Sequence, residues 1–146
     1  MIDADDALGY VINAVARKFS QLFNIRFKAY GITSEQWSIL SKLVDYHGIS
    51  QRELSTITEK DPNNITKLLD QLEKKGWVKR ADHPTDRRSY VLLVTEQGDQ
   101  LARQLKPLDQ QLFVELTTSL TRDEVEVFKK ILYQVNQGLS DKITKG

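Results

Sequence analysis

The chain has 146 residues, of which 40% are hydrophobic and 28% charged, and this ordinary globular composition predicts one folded unit without long disordered segments. It contains no cysteine, which excludes disulfides, thiolate nucleophiles, cysteine-ligated zinc and direct thiol-based redox sensing. The formal net charge is only +1, so a nucleic-acid partner must be argued from where the charges lie.

Signals for targeting, membrane insertion and metal binding are missing from the sequence. The first six residues lack the basic start and apolar run of a signal peptide, and no apolar stretch approaches the roughly 20 residues that cross a bilayer. His47 and His83 are far apart, and neither has a metal-ligand neighbour at a recognised spacing. We therefore expect a cytoplasmic protein without a membrane partner, a metal or another cofactor, and a loop histidine such as His83 that is simply solvated.

The N-terminal part of the chain predicts two helices. Apolar residues recur at helical spacing between Asp3 and Tyr30, which predicts one long helix that ends at Gly31. Thr33 followed by Gln36 fits a capping box, in which each side chain satisfies the free backbone donor of the other. A second helix should begin there and end near residues 47–48.

The middle of the chain predicts a pair of helices joined by a short turn. Ser50 followed by Glu53 is another capping box, and it begins a third helix of about two turns. Asp61 suits an N-cap and Pro62 suits the first helical position, so a fourth helix should begin there. Gly76 supplies its C-terminal end.

After Gly76 the spacing of apolar residues changes from the helical period to the period of a strand. Strands over residues 77–80 and 90–94, joined by a polar loop over 81–89, predict a hairpin whose loop projects. Two helices joined by a short turn and followed by a hairpin form the plan of a winged helix-turn-helix.

Two more helices should follow the hairpin. Leucines from Leu101 to Leu116 stay in helical register across Pro107, which we expect to kink the helix without ending it. Thr121 followed by Glu124 is a further capping box, and it begins the last helix. The predicted fold is therefore mainly α with a small β-hairpin wing, and long N- and C-terminal helices suited to dimerisation flank the winged helix-turn-helix.

The fourth helix, the second of the pair, carries the candidate DNA-reading face. Its polar side chains occupy positions that the predicted core stripe does not use, and amides, hydroxyls and ammonium groups are those that contact base edges and phosphates. Taken alone, Asn63 and Asn64 are better explained as the polar start of any helix, because asparagine favours such positions. The candidate DNA-binding residues are Ser50, Gln51, Asn63, Asn64, Thr66, Lys67, Asp86, Arg87 and Arg88.

The charge distribution favours DNA binding. Residues 60–94 carry eight lysines and arginines against five acids, a moderate excess that solvated helices also show. Arg87 and Arg88 lie in the hairpin loop, where cations can reach the negative potential of a narrow minor groove. Asp86 could hold the Arg88 guanidinium through a bidentate pair. The alternative is a surface turn with an ion pair of little energetic value, and the loop alone does not decide between the two.

These motifs resemble the multiple antibiotic resistance regulator (MarR) family of bacterial winged-helix transcription factors over nearly the whole chain. The most specific segments are LLDQLEKKGWVKR at residues 68–80, Asp86-Arg87-Arg88, and VTEQG at residues 94–98. The resemblance implies a homodimer whose first, fifth and sixth helices interlock, a fourth helix that reads the major groove, and Asp86 and Arg88 that support minor-groove insertion. Many members release DNA when a small aromatic ligand binds. One branch senses peroxide through a first-helix cysteine, which this chain lacks.

Apolar stripes at both chain ends predict the dimer independently of the resemblance. Stripes on the first helix, Phe19 to Phe27, and on the last helix continue well beyond what a winged lobe needs. The alternative is that these two helices cover each other within one chain. The candidate dimerisation residues are Leu8, Val11, Ile12, Val15, Phe128, Leu132, Val135 and Leu139.

The sequence thus predicts a homodimeric, sequence-specific DNA-binding transcriptional regulator, by default a repressor, that recognises a palindromic operator. Residues 1–146 should form one unit, with a DNA-binding lobe over 32–96 and a dimerisation region over 1–31 and 97–146. The alternative is a winged-helix protein-interaction module that has lost DNA binding. We do not expect an enzyme, because the sequence has no nucleophile and base motif, paired histidine and carboxylate site or glycine-rich phosphate loop.

Plausible pocket-lining residues are Tyr10, Arg17, Phe23, Trp37 and Tyr46, although aromatic residues at helical spacing usually belong to the core.

Overall fold

The computed structural model describes residues 1–145, and these residues form six α-helices and one two-stranded antiparallel sheet. The helices are α1 (Leu8–Arg26), α2 (Ser34–Asp45), α3 (Gln51–Thr58), α4 (Pro62–Lys74), α5 (Glu96–Leu116) and α6 (Arg122–Lys145), and the strands are β1 (Val78–Asp82) and β2 (Tyr90–Val94). The predicted fold class, mainly α with a hairpin wing, is confirmed. Within residues 1–145, no helix has the length and apolar character needed to span a membrane.

The chain divides into two compact units. Met1–Leu105 forms the first, and the second begins at Lys106, inside α5. The predicted boundaries of a DNA-binding lobe over 32–96 and a dimerisation region over 1–31 and 97–146 remain a prediction, and residue 146 lies outside the described residues.

Capping boxes begin three of the helices, as the sequence predicted. At the start of α2, Thr33 Oγ1 accepts from the backbone N–H of Gln36 at 3.2 Å, and Gln36 Oε1 accepts from the backbone N–H of Thr33 at 3.1 Å. The same reciprocal bonds join Ser50 with Glu53 and Thr121 with Glu124. Each box satisfies backbone donors that have no partner inside the helix.

The first helix is shorter than predicted at both ends. Residues 3–6 form a turn in which the Asp6 carboxylate accepts from the backbone N–H of Asp3 at 2.8 Å, so α1 begins only at Leu8. At the other end α1 stops at Arg26, and a 3₁₀ turn over Lys28–Tyr30 leads into Gly31. Aspartates favour such local turns because their side chains compete for backbone donors, which apolar spacing alone does not reveal.

Two phenylalanines of α1 and its C-cap belong to the core of the first unit. Phe23 is 1% exposed and Phe27 3% exposed, and their ring centroids lie 4.5 Å apart. The sequence argument that included both in an unpartnered stripe was therefore wrong for these two side chains, because their own chain covers them. Phe19 remains exposed and Leu22 half-buried.

Helix α4 packs with its apolar stripe inward, as predicted. Its buried residues are Ile65, Leu68, Leu69 and Leu72. They contact α2, α3 and β1 in the core of the first unit. A side-chain hydrogen bond of 3.0 Å from Gln36 Nε2 to Gln71 Oε1 also joins α2 to α4. These contacts fix α4 with its opposite face toward solvent.

The wing is a regular antiparallel hairpin. Strand pairing runs from Val78 opposite Val94 to Asp82 opposite Tyr90, so β1 begins one residue later than predicted and extends further into the loop. The backbone N–H of Leu92 also donates to the Ile49 carbonyl at 2.9 Å, which ties the hairpin to the residue before the Ser50 cap.

The base of the wing is held closely against the first turn of α5. Thr95 Oγ1 donates to the Gly76 carbonyl at 2.6 Å and accepts from the backbone N–H of Gly98 at 3.1 Å. A Cβ atom at Gly98 would lie 2.2 Å from the carbonyl oxygen of Trp77. Only glycine permits this approach of the two backbones.

Candidate nucleic-acid interface

One face of α4 is polar and open to solvent. Asn63, Thr66 and Lys67 are exposed and Asn64 is half-buried, on positions between the buried core residues. Asp61 occupies the predicted N-cap position, but in the described chain its side chain makes no capping hydrogen bond. The first turns of α4 therefore present amide, hydroxyl and ammonium groups, the donors and acceptors that a major groove accommodates.

A hydrogen bond between exposed side chains joins α3 to this face. Gln51 Nε2 donates to Thr66 Oγ1 at 2.9 Å, and Thr66 Oγ1 donates to the Pro62 carbonyl at 3.1 Å. The structure therefore brings together two predicted site residues that are 15 positions apart in the sequence.

Ser50 does not share this exposed surface. Its residue is 8% exposed, its hydroxyl oxygen accepts from the backbone N–H of Glu53 at 3.0 Å, and its backbone forms a β-bridge with Val91. The prediction that Ser50 contacts DNA is not supported by this position, because the residue is occupied in starting α3 and in anchoring the hairpin.

Sequence reasoning missed a cluster of charged residues that joins the wing to α4. The Arg80 guanidinium forms ion pairs with Asp70 and, from Nε to Oε2 at 3.2 Å, with Glu73. The backbone N–H of Arg80 donates to the same Glu73 oxygen at 3.3 Å. The hydrogen bond to Asp70 chiefly raises the pKa of Arg80, burial opposes it, and Glu73 adds to the increase. We name Asp70, Glu73 and Arg80 the wing clamp.

The wing clamp changes how the local charge excess is counted. Outside it, residues 60–94 retain seven lysines and arginines and three acids. Arg80 is not a free cation for DNA, and because its single positive charge is paired with two carboxylates, the wing clamp itself carries a net charge of −1. The sequence did contain a signal for this cluster. Asp70 and Glu73 are three residues apart on α4, and Arg80 follows shortly after the glycine that ends the helix.

The wing loop is shaped by Asp86 in a different way from that predicted. Asp86 Oδ1 accepts from the backbone N–H of Arg88 at 3.0 Å, and the Asp86 carbonyl accepts from the backbone N–H of Ser89 at 3.2 Å. Across residues 1–145 the Asp86 carboxylate and the Arg88 guanidinium form no ion pair. Asp86 thus folds the turn, and Arg87 and Arg88 extend exposed from it.

His83 is part of the same turn and is half-buried. Its Nδ1 lies 3.2 Å from the backbone nitrogen of Thr85 and 3.0 Å from that of Asp86, and both N–H groups donate to it. The expectation that this histidine is only solvated was wrong. The His83 ring therefore braces the loop as an acceptor of two backbone hydrogen bonds.

Two solvent-open surface grooves lie along α1. One, of about 650 Å³, is lined by Arg17, Ser20, Asn24 and neighbouring residues, and another, of about 350 Å³, includes Tyr10 and Arg17. Of the other predicted lining residues, Phe23 and Trp37 are buried, whereas Tyr46 is exposed. Arg17 is the single cation common to both grooves.

The predicted dimerisation residues are mostly exposed in the chain. On α1, Leu8, Ile12 and Val15 are exposed and Val11 is half-buried. On α6 the exposed stripe is Phe128, Leu132, Val135 and Leu139. Each helix therefore presents large apolar side chains to solvent.

Comparison with known proteins agrees with this architecture. A model of the MarR family matches residues 32–90. The chain is 33% identical over 129 residues to the multiple antibiotic resistance protein MarR of Escherichia coli K12, with 88% of this chain and 90% of that protein covered. It is 31% identical over 120 residues to the transcriptional repressor MprA of E. coli K12, with 78% and 68% covered. A crystal structure of a mutant E. coli MarR complexed with operator DNA matches it with a TM-score of 0.82 at 32% identity, covering 88% of this chain and 92% of that one. The resemblance found in the sequence is confirmed, and the chain belongs to the MarR family of winged helix-turn-helix transcriptional regulators.

Proposed function

We propose that this protein is a sequence-specific DNA-binding repressor that acts as a homodimer on a palindromic operator. The observation that carries the proposal is the division of α4 into two faces. Its apolar stripe is buried in the core, and the opposite face presents Asn63, Thr66 and Lys67 to solvent. A helix held in this way can enter a major groove without losing core contacts.

The wing supports the same proposal by its charge and shape. Arg87 and Arg88 are exposed at a turn that Asp86 and His83 brace through backbone N–H groups. A braced loop loses little conformational entropy on binding, and its cations favour the negative potential of a minor groove. In this proposal α4 supplies base contacts and the wing supplies phosphate and minor-groove contacts.

The dimer part of the proposal rests on the exposed apolar faces of α1 and α6. Large apolar patches on a small protein are typical of interfaces, and a two-fold dimer would present two copies of α4. Its operator would then be palindromic, with half-site centres about 10 base pairs apart. We assign the lobe over residues 32–96 to DNA and the flanking regions, 1–31 and 97–146, to dimerisation.

Repression and its relief form the regulatory part of the proposal. A dimer bound to promoter DNA represses most simply by occlusion, and one relative is named a transcriptional repressor. In this proposal a small aromatic molecule that binds at the open grooves beside Arg17 releases the DNA.

Selection of binding sites from randomised duplexes, followed by fluorescence anisotropy on the best site, tests the assigned face. Arg88→Ala should weaken binding about tenfold and reduce its dependence on salt, because a cation contact is lost. Asn64→Ala should mainly relax sequence preference. Arg103→Ala removes an exposed cation of α5 that is outside the candidate DNA-binding residues, and it is the matched control. If the Arg88 and Asn64 variants both bind like the parent, the assigned face is wrong.

Salt dependence separates DNA binding from the protein-interaction alternative. A protein that contacts several phosphates loses affinity steeply as salt rises, because counterions are released on binding. We expect that steep loss for the selected duplex. Weak binding to every duplex with little salt dependence would instead favour a protein-interaction module.

A further inference from the structure

The hydroxyl group of Thr66 already uses its single hydrogen in a hydrogen bond within α4. Its Oγ1 lies 3.1 Å from the Pro62 carbonyl oxygen, which can only accept, so the single hydroxyl hydrogen points to that oxygen. The same Oγ1 lies 2.9 Å from the side-chain amide of Gln51. That amide must present its nitrogen, because an oxygen there would leave two acceptors competing for one hydrogen.

This arrangement limits what Thr66 can offer to a base. Its hydroxyl has no hydrogen left to donate, and one lone pair is occupied by Gln51. The other substituent on Cβ is the methyl group Cγ2, and Thr66 is an exposed residue of α4. A threonine methyl group packs well against the 5-methyl group of thymine in the major groove.

Building on the proposed function, we propose that Thr66 recognises the 5-methyl group of a thymine through its own methyl group. Gln51 is the positioning residue that makes this possible. Threonine in a helix divides between two rotamers, because its hydroxyl can bond to either of two preceding carbonyls. The hydrogen bond from α3 selects the one in which Oγ1 faces both Pro62 and Gln51.

Replacing single thymines by deoxyuridine in the selected operator removes only the methyl group and tests the inference directly. We expect the parent to lose about fourfold in affinity at one thymine per half-site, as for one buried methylene-sized group. Thr66→Val keeps the methyl group and should retain this discrimination. Thr66→Ser keeps the hydroxyl group but removes the methyl group, so this variant should lose the discrimination. Gln51→Ala should reduce the discrimination, because Thr66 Oγ1 loses the hydrogen bond that selects its rotamer.

A matched control comes from α3 itself. Thr56 is exposed, and its Oγ1 donates to the Arg52 carbonyl at 3.2 Å, the same bond to the preceding turn that Thr66 makes. Thr56→Ser should leave the discrimination between thymine and deoxyuridine unchanged. Thermal melting of every variant checks that the fold is kept, which we expect for exposed side chains.

The outcomes separate this inference from the function on which it rests. If Thr66→Ser keeps the discrimination and Thr66→Val loses it, the hydroxyl is the reading group and the inference is wrong. If the parent binds its operator but no deoxyuridine substitution weakens it, the inference fails while DNA binding stands. If the parent selects no duplex at all, both are overturned.

Discussion

Removing the charge of Arg80 should weaken the fold and DNA binding by comparable, modest amounts. Arg80 is only 18% exposed at its side chain, whereas Asp70 and Glu73 are 60% and 46% exposed. Solvent screening of the two carboxylates limits each pair to at most about 1 kcal/mol, so the wing clamp contributes about 1–2 kcal/mol. Arg80→Met keeps the apolar stem and removes the charge. For a chain of this size we expect the melting temperature to fall by about 2–8 °C.

The effect on DNA should come from geometry and not from a lost phosphate contact. The wing clamp joins β1 to α4, so without its ion pairs the angle between the reading helix and the wing is less tightly fixed. We expect the affinity of Arg80→Met for the selected operator to fall about tenfold, a cost of about 1.4 kcal/mol. Because Arg80 is paired with two acids and is not assigned a phosphate contact, the slope of affinity against salt should stay close to the parent value.

The contribution of the wing clamp should also be independent of pH near neutrality. The hydrogen bond to Asp70, opposed by burial and aided by Glu73, raises the pKa of Arg80 in the fold. A raised pKa means that its stabilisation is present below the unfolded pKa and is lost only as pH rises through the higher folded value, far above neutral. The difference in melting temperature between parent and variant should therefore be constant between about pH 6 and 9.

Fluorescence anisotropy and thermal melting measure these effects on the same samples. Arg103→Met is the control, because Arg103 makes a 3.0 Å pair with Asp99 on an exposed helical surface. It should leave both stability and affinity close to the parent values. Two outcomes would refute the role of Arg80 in positioning the wing. One is an Arg80→Met variant that melts and binds like the parent, and the other is a variant whose dependence of affinity on salt falls as it does when a phosphate contact is lost.

Three other predictions concern packing, assembly and the wing turn. In urea denaturation, Gly98→Ala should lower the free energy of unfolding by about 1–3 kcal/mol or more, because its Cβ would lie 2.2 Å from a backbone oxygen. The control is Gly138→Ala, whose Cβ meets nothing within 4 Å and which should be neutral or stabilising. Leu132→Glu, on the exposed α6 stripe, should convert the proposed dimer to a monomer in analytical ultracentrifugation, whereas Tyr133→Glu, one residue off that stripe, should not. Dimers of both variants would exclude this interface. His83→Ala should lower operator affinity with little change in melting temperature, because two backbone N–H groups lose their acceptor, and an unchanged affinity would contradict this role for the ring.

Local signals predicted the starts of α2, α3 and α6 and the arrangement of α4 correctly. The capping boxes at Thr33, Ser50 and Thr121 involve residues three positions apart, so one stretch of sequence contains both partners. The α4 stripe was equally accessible, because burial of one helical face follows directly from residue spacing. Together with the change from helical to strand spacing after Gly76, these features carried the winged-helix prediction.

Contacts between distant parts of the chain were not predictable in the same way. The pairing of Arg80 with Asp70 depends on how the hairpin lies against α4, and the burial of Phe23 depends on how α1 meets the core. Asp86 and His83 could be assigned to a loop from sequence, but which backbone donors they accept depends on the path of that loop. Apolar spacing and charge counts give no information on these choices.

Hydroxyl-radical footprinting of the selected operator, at a measured stoichiometry, tests most directly whether a duplicated α4 and wing contact DNA. We predict two protected regions whose centres lie about one helical turn apart, each with an adjoining protected minor groove, at two chains per duplex. Arg88→Ala should remove only the minor-groove protection. One protected region, or protection at one chain per duplex, would contradict the account.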